Sequence, residues 1–214
     1  MKKETIILFD LDGTLIDSTE AILESFEAAF AHFGETSPED EAVKAQIGHP
    51  LDWMFLKLGV EDEKIWDYVA AYKAHYRKIS KAKTVLLPDA KAAVEKAAEF
   101  AILGVVTTKT AEYSIELLEH MGLMDFFEVL IGRENVEHPK PHSEPIHKAL
   151  VSLPRIKGES WMIGDTCMDM LCAKECCVKA IGVTSGYASC KELIKCSDIV
   201  VEDTLKAVTH ISTL

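Results

Sequence analysis

The chain has 214 residues, 48% of them hydrophobic and 27% charged, and carries a formal net charge of −12. That composition describes a globular protein with enough apolar side chain for a core, either one domain with an insert or two modest ones. The acidic balance argues against a nucleic-acid partner, which needs clustered Lys and Arg. The longest apolar run, about Phe100 to Val106, is far too short to span a bilayer, so no membrane partner is expected. Met1-Lys2-Lys3 mimics the basic start of a signal peptide, but Glu4 follows and Asp10 cuts the apolar run early. The expected location is the cytoplasm.

Thr5 to Phe9 is apolar and β-branched, which reads as a buried strand. It ends in Asp10-Leu11-Asp12-Gly13-Thr14. Two carboxylates at that spacing raise each other's ionisation cost unless a cation lies between them. Gly13 lets the chain turn at positive φ. An Asp-Gly turn is the bland alternative, but the full pattern is much narrower than a turn signal. Asp17-Ser18-Thr19-Glu20 reads as a capping box opening a helix over 18–33, with Ile22, Phe26, Ala29, Phe30 and Phe33 at helical spacing. Further helices are expected from Pro38 to Gln46, up to Leu58, and from about Ile65 to Ser80. Residues 17–82 therefore form an all-helical block.

Beyond it the pattern alternates. A helix over 89–100 leads to a strand ending at Thr107-Thr108-Lys109, then a helix to Met121 and the strand 128–131. A loop with Pro139-Lys140-Pro141 precedes a helix marked by Ile146 and Leu153. The strand 161–163 ends at Gly164-Asp165, and a Cys-rich helix, the strand 179–183, another helix and the strand 198–201 follow. Such alternation implies a doubly wound parallel α/β sheet covered on both faces. All six Cys lie after residue 166 without a Cys-x-x-Cys pair. Cys172 and Cys176 could face each other on a helix and, with Cys167, form a thiolate metal site, but reduced thiols in a packed helix are the expectation.

In such sheets ligands bind beyond the carboxyl ends of the strands. Those ends carry Asp10 and Asp12, Thr107 and Thr108, Lys140, and Asp165 with Asp169. There is no Ser-His-Asp set and no Gly-rich nucleotide motif. Gathered carboxylates call for a hard cation, and Mg²⁺ fits best. Carboxylates, a hydroxyl and an ammonium around Mg²⁺ suit phosphoryl transfer, with one carboxylate as nucleophile and a second as acid and base.

Four motifs in this order resemble the haloacid dehalogenase superfamily: Asp10-Leu11-Asp12-Gly13-Thr14, Thr107 after a strand, Lys140 in Pro-Lys-Pro, and Gly164-Asp165-Thr166-Cys167-Met168-Asp169. Leu15-Ile16-Asp17-Ser18, Thr107-Thr108-Lys109, Lys140-Pro141-His142 and Thr184-Ser185-Gly186-Tyr187 resemble its phosphoglycolate phosphatase branch. The resemblance implies a Rossmann-like core over 1–16 and 83–214 and an inserted helical cap over 17–82. It implies Asp10 as nucleophile and metal ligand, and Asp12 as general acid and base with its backbone carbonyl on the metal. Thr107 and the Thr108 amide would hold phosphoryl oxygens, and Lys140 would neutralise charge beside Asp10. Asp165 would bind Mg²⁺, and Asp169 would complete the metal site by positioning a metal-bound water or Lys140. Thr108 stands where that branch usually has Asn and Ser143 where it has Pro. Cys176-Cys177 replaces the common Ala-Gly, and Leu87-Pro88-Asp89 a more usual Pro-Gly.

The implied activity is a Mg²⁺-dependent phosphatase of a small phosphorylated metabolite, phosphoglycolate-like, in a monomer or homodimer. Pyrophosphatase, nucleotidase, sugar-phosphate phosphatase or phosphomutase are alternatives. Related mutases carry a His where this chain has Ile22, and a dehalogenase lacks the counterpart of Asp12. A phospho-accepting signalling domain is shorter and has no helical insert. Among other residues, His49, His138 and His142 are read as loop histidines. Asp17 is read as a helix cap, and Lys109 as either a substrate-anion contact or a surface charge.

Overall fold

The computed structural model describes residues 3–214; Met1 and Lys2, the basic start noted above, lie outside the described residues. The chain forms two compact units, one built from the chain up to Asp17 together with Leu86–Leu214, the other from Ser18–Val85.

The first unit is built on β1 (Thr5–Phe9), and β2 (Ile16–Asp17) follows the turn at Gly13. At the end of the second unit comes β3 (Val85–Leu86), paired with β2 in a two-stranded sheet, then α5 (Ala90–Phe100) and β4 (Ala101–Val106). The chain continues through α6 (Ala111–His120), β5 (Phe127–Ile131), α7 (Glu144–Ser152), β6 (Ser160–Gly164) and α8 (Cys167–Glu175). It ends with β7 (Lys179–Val183), α9 (Cys190–Leu193), β8 (Val200–Val201) and α10 (Thr204–Ser212). The helical unit holds α1 (Thr19–His32), α2 (Asp40–Lys44), α3 (Leu51–Lys57) and α4 (Ile65–Ile79).

Six strands form one sheet in the order β5-β4-β1-β6-β7-β8, with parallel pairing throughout. The chain builds outward from β1 on one side and returns to build outward on the other. The crevice between β1 and β6 is therefore the topological switch point, where ligands of open α/β sheets bind. Period-two alternation splits each strand between two apolar layers. Ile7 and Phe9 of β1, with Trp161 and Ile163 of β6, join the layer that includes α5 and α10. Ile6, Leu8 and Met162 face the opposite layer, which holds Ile146 and Ala149 of α7 with Cys172 and Ala173 of α8. The helical unit has its own aromatic core, in which Phe26 and Phe55 of α1 and α3 lie 4.6 Å apart between ring centres and Phe30 and Tyr68 of α1 and α4 lie 5.2 Å apart.

Two expectations need correction, and one element was not expected. The capping box at Asp17–Glu20 does not form. Asp17 ends β2, the N-cap is Ser18 without a side-chain cap bond, and Glu20 pairs instead with Lys83 at 2.7 Å. A local motif has lost to an ion pair that sequence spacing could not show. The cysteines are not all reduced thiols: Cys167 at the start of α8 is disulfide-bonded to Cys196, 29 residues on, with Cα atoms 5.7 Å apart. The fold brings the two side by side. Cys172, Cys176, Cys177 and Cys190 are free, so no thiolate set with Cys167 exists. The helix α10 was not anticipated, although Asp203 caps it by accepting from the Lys206 amide at 2.7 Å and Val208 and Ile211 are buried.

Candidate active site

Strand register brings the key residues together. Phe9 lies opposite Val105 of β4 and Ile163 of β6, so Asp10, Thr107 and Asp165 all emerge at the carboxyl edge of the central strands. Asp10 is fixed there by its amide, which donates to the Ile163 carbonyl at 2.9 Å, and Thr107 by its amide on the Ile131 carbonyl at 2.9 Å. Asp165 sits in a cradle of backbone. Gly13, at φ +80°, would place a Cβ 2.3 Å from Asp165 Oδ2, and Gly186 one at 2.1 Å, so neither position accepts a side chain without displacing the carboxylate. The Tyr187 amide then donates to Asp165 Oδ2 at 2.8 Å, and Ser185 Oγ donates to the Gly13 carbonyl at 3.0 Å. From α10, Thr204 Oγ1 donates to the Thr14 carbonyl at 2.6 Å and braces the same turn.

Lys140 reaches this edge from the loop before α7. Cys172 of α8 donates its thiol to the His142 carbonyl at 3.0 Å, and the Ser143 amide donates to Glu175 at 3.0 Å, so α8 holds that loop. The Lys140 ammonium donates to the Val106 carbonyl at 3.1 Å and to Asp169 Oδ1 at 2.6 Å, and lies 2.8 Å from Asp10 Oδ1. Oδ1 of Asp165 is buried without a hydrogen-bond partner. Asp169 Oδ2 accepts from the Thr166 amide at 3.1 Å and hydroxyl at 2.8 Å, closing a capping box at the start of α8.

Asp10, Asp165 and Asp169 are buried and can present oxygens within 4.8 Å of one another, a triad able to hold a metal ion. Asp165 Oδ1, buried without a hydrogen-bond partner, and Asp10 Oδ1, which faces the Lys140 ammonium at 2.8 Å, are oxygens such a cation could take. Both oxygens of Asp169 are already engaged, so its geometry favours holding Lys140. The Asp12 carboxylate lies outside the triad, against Lys109, whose Nζ is 2.9 Å from Asp12 Oδ2 and 3.2 Å from Oδ1. Lys109 is the residue that the sequence left undecided. No local pattern marks it, because the pairing depends on β1 and β4 being neighbours. Thr108 is half-buried next to Thr107. His138 and His142 are exposed with ring centres 4.8 Å apart, and His49 stacks on Trp53 within the helical unit at 3.8 Å.

Burial pushes the Asp10 carboxyl from its ordinary 3.8 up to about 7, against the pull of Lys140 and with a further push from Asp169. Burial also holds Asp165 well above the usual carboxylate range, helped by the charges of Asp10 and Asp169. Burial works against the Lys140 ammonium too, but Asp10 and Asp169 outweigh it and hold Lys140 above the ordinary lysine range. The linkage is direct. Between 3.8 and about 7 the folded, cation-free protein binds more protons at Asp10 than the unfolded chain does, so stability falls as pH rises through that window. Glu144, drawn down to about 2 by Lys148 and two amides, contributes stability that is already complete above its ordinary 4.5. His49, lowered by burial, pulls the other way, but it is half solvated. In chelator the melting temperature is therefore expected to be lower at about pH 7.5 than at about pH 5.5, and a divalent cation should narrow the gap by competing with the protons. A flat or rising profile in chelator would contradict the burial of these carboxyls.

The doubly wound α/β unit gathers carboxylates, an ammonium and a hydroxyl at its switch point. The chain belongs to the haloacid dehalogenase-like hydrolase family, whose model matches residues 7–183. It is 38% identical over 179 residues to the pyrophosphatase PpaX of Anoxybacillus flavithermus, covering 83% of this chain and 82% of that protein. It is 28% identical to a phosphoglycolate phosphatase of Yersinia pseudotuberculosis, covering 85% and 81% of the two chains. A solved haloacid dehalogenase-like family hydrolase from Streptococcus pneumoniae superposes with a TM-score of 0.87 at 27% identity, covering 99% of this chain and 100% of that one.

Proposed function

We propose that this chain is a Mg²⁺-dependent phosphatase of small phosphomonoesters, phosphoglycolate-like in type, that works through a phosphate carried on Asp10. The observation that carries the reading is the buried set of Asp10, Asp165, Asp169 and Lys140 at the switch point. Counting Asp12 and Lys109, four carboxylates face two ammoniums, and one divalent cation would cancel the surplus of two negative charges.

Asp10 and Asp165 would hold the cation with the Asp12 backbone carbonyl, and the bound ion would neutralise phosphoryl oxygens that these carboxylates otherwise repel. Thr107 and the Thr108 amide hold the remaining phosphoryl oxygens. Lys140, fixed by Asp169, keeps positive charge beside Asp10. An Asp10 oxygen attacks phosphorus, the bond to the leaving oxygen breaks, and Asp12 gives that oxygen its proton. Asp12, now ionised, takes a proton from water as the water attacks phosphorus. The Asp10–phosphate bond breaks, releasing phosphate and restoring the Asp10 carboxylate.

A second reading, pyrophosphate as substrate, is favoured by the identity to the PpaX relative. A panel of phosphoglycolate, pyrophosphate, nucleotides and sugar phosphates, assayed with Mg²⁺ and in excess chelator, tests both. Turnover of a small phosphate that needs the cation is the expected result, and Ca²⁺ should inhibit because its looser coordination disturbs the in-line geometry. Full turnover in chelator, or no turnover of any member, would overturn the reading.

A further inference from the structure

The geometry points to Lys109 as the positioning residue for Asp12, clamping its carboxylate for proton transfer. This rests on the phosphatase reading above. Lysine side chains are normally solvated, yet that of Lys109 is only 10% exposed and that of Asp12 only 12%. One ammonium lies against both oxygens of the carboxylate, at 2.9 and 3.2 Å.

Both ends of the clamp are anchored. The Lys109 amide donates to Thr107 Oγ1 at 3.2 Å, and its carbonyl accepts from the Arg133 amide at 2.9 Å. Lys109 therefore projects from a fixed platform beyond β4, the neighbour of β1. On the other side, Asp12 is bridged to Ile16, and the Gly13 amide donates to the Ile16 carbonyl at 2.8 Å. An ammonium straddling a carboxylate between two fixed backbones restricts rotation of that carboxylate. Asp12 must give a proton to one oxygen and take a proton from another in the same cycle, so its orientation matters in both halves. The ammonium beside Asp10 is already supplied by Lys140, which leaves Lys109 to act on Asp12 instead of on the phosphoryl group.

The two roles differ in how the loss depends on the leaving group. kcat/KM covers only the steps up to leaving-group departure. An alkyl phosphate needs its leaving oxygen protonated, whereas acetyl phosphate scarcely does. The test measures kcat/KM of wild type, Lys109→Met and Lys109→Arg on acetyl phosphate, p-nitrophenyl phosphate and an alkyl phosphate, with melting temperatures alongside. Lys109→Met is expected to lose about 10²-fold on the alkyl phosphate and less than about tenfold on acetyl phosphate, within the usual range of general acid help. Lys109→Arg, which keeps the charge, should recover part of the alkyl loss. Equal losses on all three substrates would make Lys109 a phosphoryl ligand, and a lowered melting temperature with an unchanged leaving-group dependence would make it structural; either overturns the assignment alone. A wild type inactive on all three overturns the phosphatase reading together with it.

Discussion

Lys140→Met is expected to lower stability and activity together. Its side chain is 2% exposed, with Asp10 at 2.8 Å and Asp169 at 2.6 Å. Methionine fills nearly the same volume, so packing is preserved while the ammonium between these carboxylates is removed. Truncating one partner of a buried ion pair costs about 3–5 kcal/mol, because the other charge is left uncompensated. For a chain of this length that corresponds to a fall in melting temperature of roughly 6–20 °C. The carboxyls would respond by taking up protons, so the deficit should be smaller near pH 5 than near pH 8 by the linkage argument. Phosphatase activity should fall by at least about 10²-fold, the usual loss when one preorganised charge on a transferring group is removed. Combining Lys140→Met with Asp169→Asn removes one orphaned charge and should recover part of the stability but none of the activity. A thermal melt of Lys140→Met indistinguishable from wild type would show that the ammonium is not what holds these carboxylates together.

Asp10→Asn and Asp12→Asn are expected to fail in different ways. Asn at residue 10 cannot carry phosphate, so turnover should vanish with no covalent intermediate. The same change imitates a neutral Asp10, the form that burial already favours up to about pH 7. The cation-free variant should therefore melt no lower than wild type at neutral pH, which separates lost chemistry from lost folding. Asn at residue 12 leaves Asp10, Lys140 and Asp165 in place and removes the proposed proton carrier. Formation of the intermediate from an alkyl phosphate should slow by about 10²–10⁴-fold. From an acyl phosphate it should slow far less, while hydrolysis of the intermediate lacks its base.

The parts of the site that were legible in the sequence are those carried by strand ends. A buried apolar strand that stops at Asp10, and another that stops at Asp165, each announce a charge placed deliberately at a sheet edge, and parallel register then brings the two edges level. What depends on two distant segments meeting was not legible. Nothing local to Lys109 says that β4 lies beside β1, nothing local to Cys167 says that α9 ends against α8, and Thr204 gives no sign that it braces Thr14. The misread cap at Asp17–Glu20 has the same origin, since Glu20 pairs with Lys83, 63 residues away in the chain. Asp169 shows the intermediate case. Its place four residues after Asp165 marked it as part of the site, but only the contacts to Lys140 and Thr166 reveal that both its oxygens are already engaged.

Whether Asp10 carries the phosphate is read from the mass of the peptides from Asp12→Asn. The variant is mixed with Mg²⁺ and acetyl phosphate, quenched in acid and digested, and the peptide containing Asp10 is weighed and fragmented beside the same peptide from Asp10→Asn treated alike. One added phosphate is expected on Asp10 in the first and none in the second. Phosphate on any other residue, or near-normal steady-state turnover by Asp12→Asn without a trapped intermediate, would contradict it.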